Sequence, residues 1–169
     1  MAGAYVQASI NQPASYSSVA NEYLALTQDS GVVDRSRHGR LVCKGKDAQG
    51  LINRLSTNDL DSLAHGHSLT TILTSNKGRI IDRLYVSRKG SEIWVLTAPE
   101  TVQEVERWIN LYTIVEEVHV VDLTERTGML LIAGPGASGV VSELAGEYVA
   151  TLEKDHWTDA TIQGIKVTV

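Results

Sequence analysis

Phenylalanine is absent from this chain of 169 residues, and cysteine occurs once and proline three times. Each scarcity narrows what the protein can be. Without phenylalanine, six tyrosines and three tryptophans supply the aromatic mass, so the core is expected to be mostly aliphatic. The lone Cys43 excludes an internal disulfide framework and suits a reducing compartment. It falls inside an apolar run, where a buried filler is expected in preference to a nucleophile. A basic excess is missing as well: 20 acidic side chains stand against 15 basic ones, for a formal net charge of −5. That argues against a general nucleic-acid binder, which shows a basic face. No stretch approaches the roughly 20 apolar residues of a membrane helix. Met1 to Asn11 has neither the basic flank nor the apolar run of a secretion signal. The expectation is a soluble protein of the cytoplasm, or of the mitochondrial matrix in a eukaryote, that engages neither nucleic acid nor membrane.

What is present reads as one domain with a core of its own, 43% hydrophobic and without low-complexity tracts. Residues 1–16, small and polar, read as a flexible N-terminal arm, and 17–169 as the domain. Ser17 to Thr27 has helical spacing, with Val19, Tyr23, Leu24 and Leu26 as its apolar side and Ser17 or Ser18 as cap. Gly31–Ser36 is a loop or short strand, and Arg40–Lys44 a strand. Asp47 can cap a helix over Ala48–Leu55, in which Gly50 would permit close packing on the sheet. Leu69–Thr74, the run after Gly78, and Ile93–Leu96 form a meander of three strands. Thr97 and Glu100 have the spacing of a capping box for a helix that runs to about Tyr112. Val118–Leu123 and Met129–Ala133 are strands. Ala137–Gly146 is a helix with Val140, Val141 and Leu144 inside, and Val149–Leu152 and Ile162–Val169 are strand candidates. Hairpins mixed with helices predict an α+β fold, mostly antiparallel sheets with helices packed on them.

The stretch Asn76–Arg88 organises the rest. Asn76 and Gly78 suit a tight turn, and a β-branched run follows in which Asp82 and Arg83 interrupt the apolar pattern. Charges are costly to bury unpaired, so this strand either turns one edge to water or lines a polar cavity. Neighbours on a strand point to opposite faces, so only one of the two meets a given cavity. Asp82 would offer it a proton or hydrogen-bond acceptor, and Arg83 a forked donor suited to a carboxylate. Other motifs read more plainly. Gly134-Pro135-Gly136-Ala137-Ser138-Gly139 fits the dinucleotide pattern, but Pro135 removes a donor from a phosphate cradle and a strand-to-helix turn is expected. His65 and His67 lack the further ligands of a metal site. Ser36 and His38 have the atoms of a nucleophile and base, without an oxyanion loop.

Several blocks in order and spacing carry a more specific likeness: Val33-Asp34-Arg35-Ser36, Lys44-Gly45-Lys46-Asp47-Ala48, Leu55-Ser56-Thr57-Asn58-Asp59 and Asn76-Lys77-Gly78-Arg79-Ile80-Ile81-Asp82-Arg83-Leu84. Over residues 20–169 the chain resembles the aminomethyltransferase family, founded on the T-protein of the glycine cleavage system, with YgfZ-like folate-binding proteins of iron–sulfur cluster assembly among its relatives. The resemblance implies a tetrahydrofolate pocket and, in the T-protein, transfer of a methylene group from an aminomethyl-lipoyl carrier with release of ammonia. It implies as partners a lipoyl carrier protein or iron–sulfur assembly proteins. It makes Asp82 the candidate catalytic residue and Asp82, Arg83, Thr70, Thr97 and His38 the candidate folate-binding set, with no metal. Three positions depart from the family pattern. Arg83 stands where the second, functional aspartate of a pair is usual, Thr70 where a tyrosine lines the site, and Thr97 where an asparagine is usual. These changes bring the chain nearer the YgfZ-like branch, although that branch's later cysteine motif has no counterpart here. The alternative is a non-catalytic scaffold or interaction module that keeps the fold without the site. The family chain is about twice as long, so the sequence reads as its N-terminal half, apparently truncated, with open strand edges able to pair in a homo-oligomer.

Overall fold

In chain order, residues 16–169, those that this computed structural model describes, form α1 (Val19–Gln28), β1 (Gly31–Asp34), β2 (Gly39–Lys44), α2 (Ala48–Leu55), β3 (Ser68–Thr74), β4 (Ile80–Lys89), β5 (Glu92–Thr97), α3 (Val102–Tyr112), β6 (His119–Asp122), a 3-10 turn (Thr124–Arg126), β7 (Leu130–Ala133), α4 (Ala137–Ala145), α5 (Glu147–Ala150), β8 (Asp159–Ile162) and β9 (Ile165–Thr168). Apart from Tyr16, the expected arm over 1–16 lies outside the described residues. The described residues form two compact units. One is Arg37–Thr127. The other joins the residues up to Ser36 with Gly128–Val169.

Unit Arg37–Thr127 is built on a five-stranded sheet in the order β3-β4-β5-β2-β6, every neighbouring pair antiparallel. The expected meander is its first three strands. Gly90, at φ 63°, makes the two-residue turn between β4 and β5 possible. Leu41 and Cys43 of β2, Leu84 and Val86 of β4, and Ile93 and Val95 of β5 share one face and meet Leu51 and Ile52 of α2 and Val105 and Ile109 of α3. Each such aliphatic side chain, fully buried, is worth about 1.5–3 kcal/mol of transfer free energy. The outer edge of β3 is not left open. Ser56 pairs with Leu73, the Thr57 N–H donates to the Ile72 carbonyl at 3.1 Å, and the Asn58 side chain donates to the Thr70 carbonyl at 2.9 Å. Covering an edge in this way blocks unwanted pairing.

The other unit holds a two-stranded β1–β7 ribbon, the β8–β9 hairpin, and α1, α4 and α5. Ser18 caps α1 by accepting from the Asn21 N–H at 3.2 Å. The pairing throughout is antiparallel and the helices pack on sheet, so the α+β class holds.

Several local expectations are corrected. The helix after β5 begins at Val102, and Thr97 ends the strand instead of opening a capping box. Asp47 stands at the cap position of α2, but its carboxylate accepts from the Glu117 N–H at 2.8 Å. Residues 149–152 are not a strand, because Val149 belongs to α5. The strand expected over Ile162–Val169 is a hairpin, with Gln163 at φ 50° and Gly164 at φ 81° in its turn. Helix α4 buries none of its residues, and Leu144 is exposed. Gly50 packs on nothing, since a methyl group there would meet no atom within 4 Å.

Two predictions follow from this packing. Gly50→Ala should raise stability by about 0.5–1 kcal/mol, seen as a higher urea midpoint at unchanged slope, because the helix loses its most flexible residue and nothing clashes. Cys43 is buried, and desolvation pushes its thiol up to about 12. An unfolded thiol ionises near pH 8.5. The folded state therefore holds a proton that the unfolded state releases, and stability should fall as pH rises from about 8.5 towards 12. Cys43→Ala should remove that part of the alkaline decline, and native Cys43 should resist thiol reagents at pH 8 until denaturant is added.

Candidate functional site

Asp82 and Arg83 sit near the start of β4, just past a bulge that shifts the β3–β4 register after Leu73. The alternation of the strand separates them. Asp82 falls in phase with Leu84 and Val86, on the side where α2 and α3 pack, and is 8% exposed. Its carboxylate is occupied by the chain. One oxygen accepts from the Arg83 N–H at 2.7 Å, and the other from the Ala98 N–H at 2.9 Å and the Thr101 hydroxyl at 2.5 Å. Ala98 and Thr101 belong to the turn that opens α3, so Asp82 ties the middle of the sheet to the start of that helix. Thr97 is on the same side, buried, and its hydroxyl donates to the Ala98 carbonyl at 2.9 Å. Gly39, opposite Thr97 in the β2–β5 register, is small by necessity: a methyl group there would lie 2.2 Å from the Thr97 hydroxyl oxygen.

Arg83 is exposed on the other face of the sheet. Its cross-strand partner is Ile72, while Thr70, also exposed, pairs with Tyr85, and Tyr85 pairs in turn with Leu96 of β5. This face thus presents a guanidinium and hydroxyls beside half-buried Ile72, Tyr85 and Leu96. The candidate residues are divided by the sheet: Asp82 and Thr97 on the helix side, Arg83 and Thr70 on the opposite one. His38 lies just ahead of β2, and its backbone carbonyl accepts from Arg40 at 2.6 Å.

Arg40 is the residue that sequence reasoning passed over. It is 4% exposed, and its guanidinium also donates to the Thr127 hydroxyl at 2.6 Å, the Thr127 carbonyl at 2.8 Å and the Thr124 carbonyl. One buried cation thereby holds the first and the last residues of unit Arg37–Thr127 together. The signal was a charge at the head of an otherwise apolar strand.

The remaining motifs are structural. The Gly136 N–H, part of any phosphate cradle in the glycine-rich turn, already donates to the Asp29 carbonyl at 2.7 Å, and the Ala137 N–H to the Gly134 carbonyl at 3.1 Å. His65 accepts the Gly90 N–H at 3.0 Å. The Ser36 hydroxyl accepts the Met129 N–H at 3.0 Å. Among the described residues, no three His, Cys, Asp or Glu side chains come together as a metal site, and no helix is long and apolar enough to cross a membrane.

A family model described as the GCVT N-terminal domain matches residues 2–169. The chain belongs to this family. The aminomethyltransferase of Staphylococcus carnosus is 30% identical over 154 residues, covering 90% of this chain and 42% of that protein. The aminomethyltransferase of Bacillus pumilus is 29% identical over 143 residues, covering 83% and 39%. Among solved structures, glycine cleavage system aminomethyltransferase T from Bartonella henselae shares the fold, with a TM-score of 0.74 at 20% identity over 81% of this chain and 37% of that one. This GCVT N-terminal domain therefore spans less than half the length of these relatives.

Within the GCVT N-terminal domain, the geometry gives Asp82 a structural duty. Asp82→Asn puts an amide donor where donors already converge, and should destabilise by about 1–3 kcal/mol. The loss should be local as well as global. Amide exchange at Val102–Val105 should speed up more than at Ile93–Val95, and equal acceleration at both would disprove the tie to α3.

Proposed function

We propose that this domain serves folate-related one-carbon chemistry and that its ligand is tetrahydrofolate, met by the sheet face that carries Arg83. Membership of the GCVT N-terminal domain family over residues 2–169 carries the reading. The residues present suit such a ligand. Half-buried Ile72, Tyr85 and Leu96 offer apolar and aromatic surface for a flat ring. Exposed Thr70 and Arg83 add donors for ring carbonyls or carboxylates. Tetrahydrofolate, when bound, supplies ring nitrogens that accept and pass on a one-carbon unit. The chain's own part is to bind and orient. Asp82 fixes the Arg83 backbone through the 2.7 Å hydrogen bond and so sets where the guanidinium leaves the sheet.

The charge at that point bears on which branch of chemistry the domain serves. Transfer from an aminomethyl donor develops positive charge, which a carboxylate steadies and a guanidinium opposes. Arg83 therefore favours folate binding of the YgfZ-like kind, with iron–sulfur assembly proteins as partners, over aminomethyl transfer from a lipoyl carrier protein. A second reading, a scaffold that keeps the fold without a folate site, is favoured by one observation: the only candidate carboxylate, Asp82, is engaged by three donors of its own chain.

Calorimetric titration with tetrahydrofolate separates the two. Binding in the micromolar range, weakened about tenfold by Arg83→Ala, is expected, a loss of about 1.4 kcal/mol. No heat at millimolar tetrahydrofolate would favour the scaffold. Binding that ignores Arg83→Ala would move the ligand to another face.

A further inference from the structure

The strands β3, β4 and β5 carry only two carboxylates, Asp82 and Glu92. Asp82 lies behind the sheet, its oxygens taken by the Arg83 and Ala98 N–H groups and the Thr101 hydroxyl. Glu92 stands at the other end of β5, bound to Lys44 at 2.7 Å and to the Trp94 indole N–H at 3.2 Å. The Arg83 side chain is exposed, and its neighbours in the register are uncharged: Ile72 across the strand pair and Tyr85 two residues on. A cation brought to this point meets a guanidinium and no carboxylate of these strands. A carbonyl oxygen brought there meets a forked donor whose backbone is pinned by Asp82.

We propose that Arg83 selects the one-carbon state of the ligand: the face takes tetrahydrofolate bearing a formyl group on N5 in preference to forms whose unit is a methyl or methylene group. The inference rests on the reading that tetrahydrofolate meets this face, and adds which form of it is held. A formyl group draws the lone pair of its nitrogen into the carbonyl, as in a peptide bond. That nitrogen is then uncharged, and the formyl oxygen is an acceptor that a guanidinium fork can meet. A methyl-bearing nitrogen remains a base able to take a proton, and a methylene unit opens to a cationic iminium. Both bring positive charge towards a fixed positive charge, which disfavours them. The glutamate tail of the folate is the competing claimant for a guanidinium. It is common to every form, so it cannot produce a preference among them.

Calorimetric titration of the full chain with tetrahydrofolate and with its N5-formyl and N5-methyl forms tests this. The formyl form should bind about tenfold more tightly than the methyl form, the effect of one charge-assisted hydrogen bond. Arg83→Ala should bring the two within about twofold of each other, and Arg83→Asp should reverse their order. An unchanged urea midpoint for both variants separates a binding effect from unfolding. Equal affinity for the formyl and methyl forms in the unaltered chain would overturn the inference and leave tetrahydrofolate as the ligand. So would a formyl preference that survives Arg83→Ala, which would hand Arg83 to the glutamate tail. Heat from none of the three would remove the ligand itself, and with it the reading on which the inference rests.

Discussion

Two hydrogen bonds to one carboxylate, from the Ala98 amide and the Thr101 hydroxyl, hold the sheet of unit Arg37–Thr127 to the start of α3. Asp82 is the one charged residue of β4 that is buried, and it is tolerated there because the Arg83 and Ala98 amides and the Thr101 hydroxyl all donate to it. A buried acid without partners would cost several kcal/mol. With them, it fixes the angle at which the chain leaves β5 and enters α3. The side chain of Thr101, at the cap position, makes no capping bond to the helix and donates to Asp82. Val102, Val105 and Ile109 then reach the core at the right height.

The same alternation that turns Asp82 inwards turns Arg83 outwards. The two charges that looked like a single anomaly in the sequence therefore have separate explanations. One belongs to folding, and the other is exposed on the opposite face. The Arg83 face presents a cation with hydroxyls and apolar side chains beside it, and the acid lies behind the sheet. Any chemistry that needs a carboxylate at this point of β4 has to find it elsewhere.

Much of the fold was legible because its signals are local. The β-branched run after Gly78, the Gly90 turn and the 3.6-residue spacing of Val102, Val105 and Ile109 each name their element without reference to distant residues. The failures share a different cause. Thr97 and Glu100 have capping-box spacing, but the Asp82 carboxylate recruits Thr101 and moves the helix start. Asp47 looked like a cap, yet the Glu117 amide, distant in sequence, takes its oxygen. Val149–Leu152 and the run after Ile162 are apolar enough for strands. The Gln163-Gly164 pair, both at positive φ, folds the latter back on itself. At the candidate site, opposite faces for Asp82 and Arg83 follow from strand geometry alone. Which of them faces the helices does not, because apolar residues lie in both phases of the strand, Leu84 and Val86 with Asp82 and Tyr85 with Arg83.

Arginine appears twice on the face of the sheet away from the helices, with opposite outcomes. Arg40, which pairs with Leu96 in the β2–β5 register, is buried, and Arg83, on the second strand over, is exposed. Backbone carbonyls decide the difference. Residues His38, Thr124 and Thr127 bring carbonyl oxygens, and Thr127 a hydroxyl, around the Arg40 fork, and a planar guanidinium with five donors can use them all. A lysine could not span that set, so Arg40 is specified by geometry as well as by charge. Arg83 has a hydrocarbon neighbour across the strand in Ile72 and a threonine hydroxyl nearby, and nothing in that register demands an arginine for packing. A side chain that the fold requires is explained by the fold. One that the fold merely permits, held at a fixed point by its own backbone bond to Asp82, is where recognition has room to act.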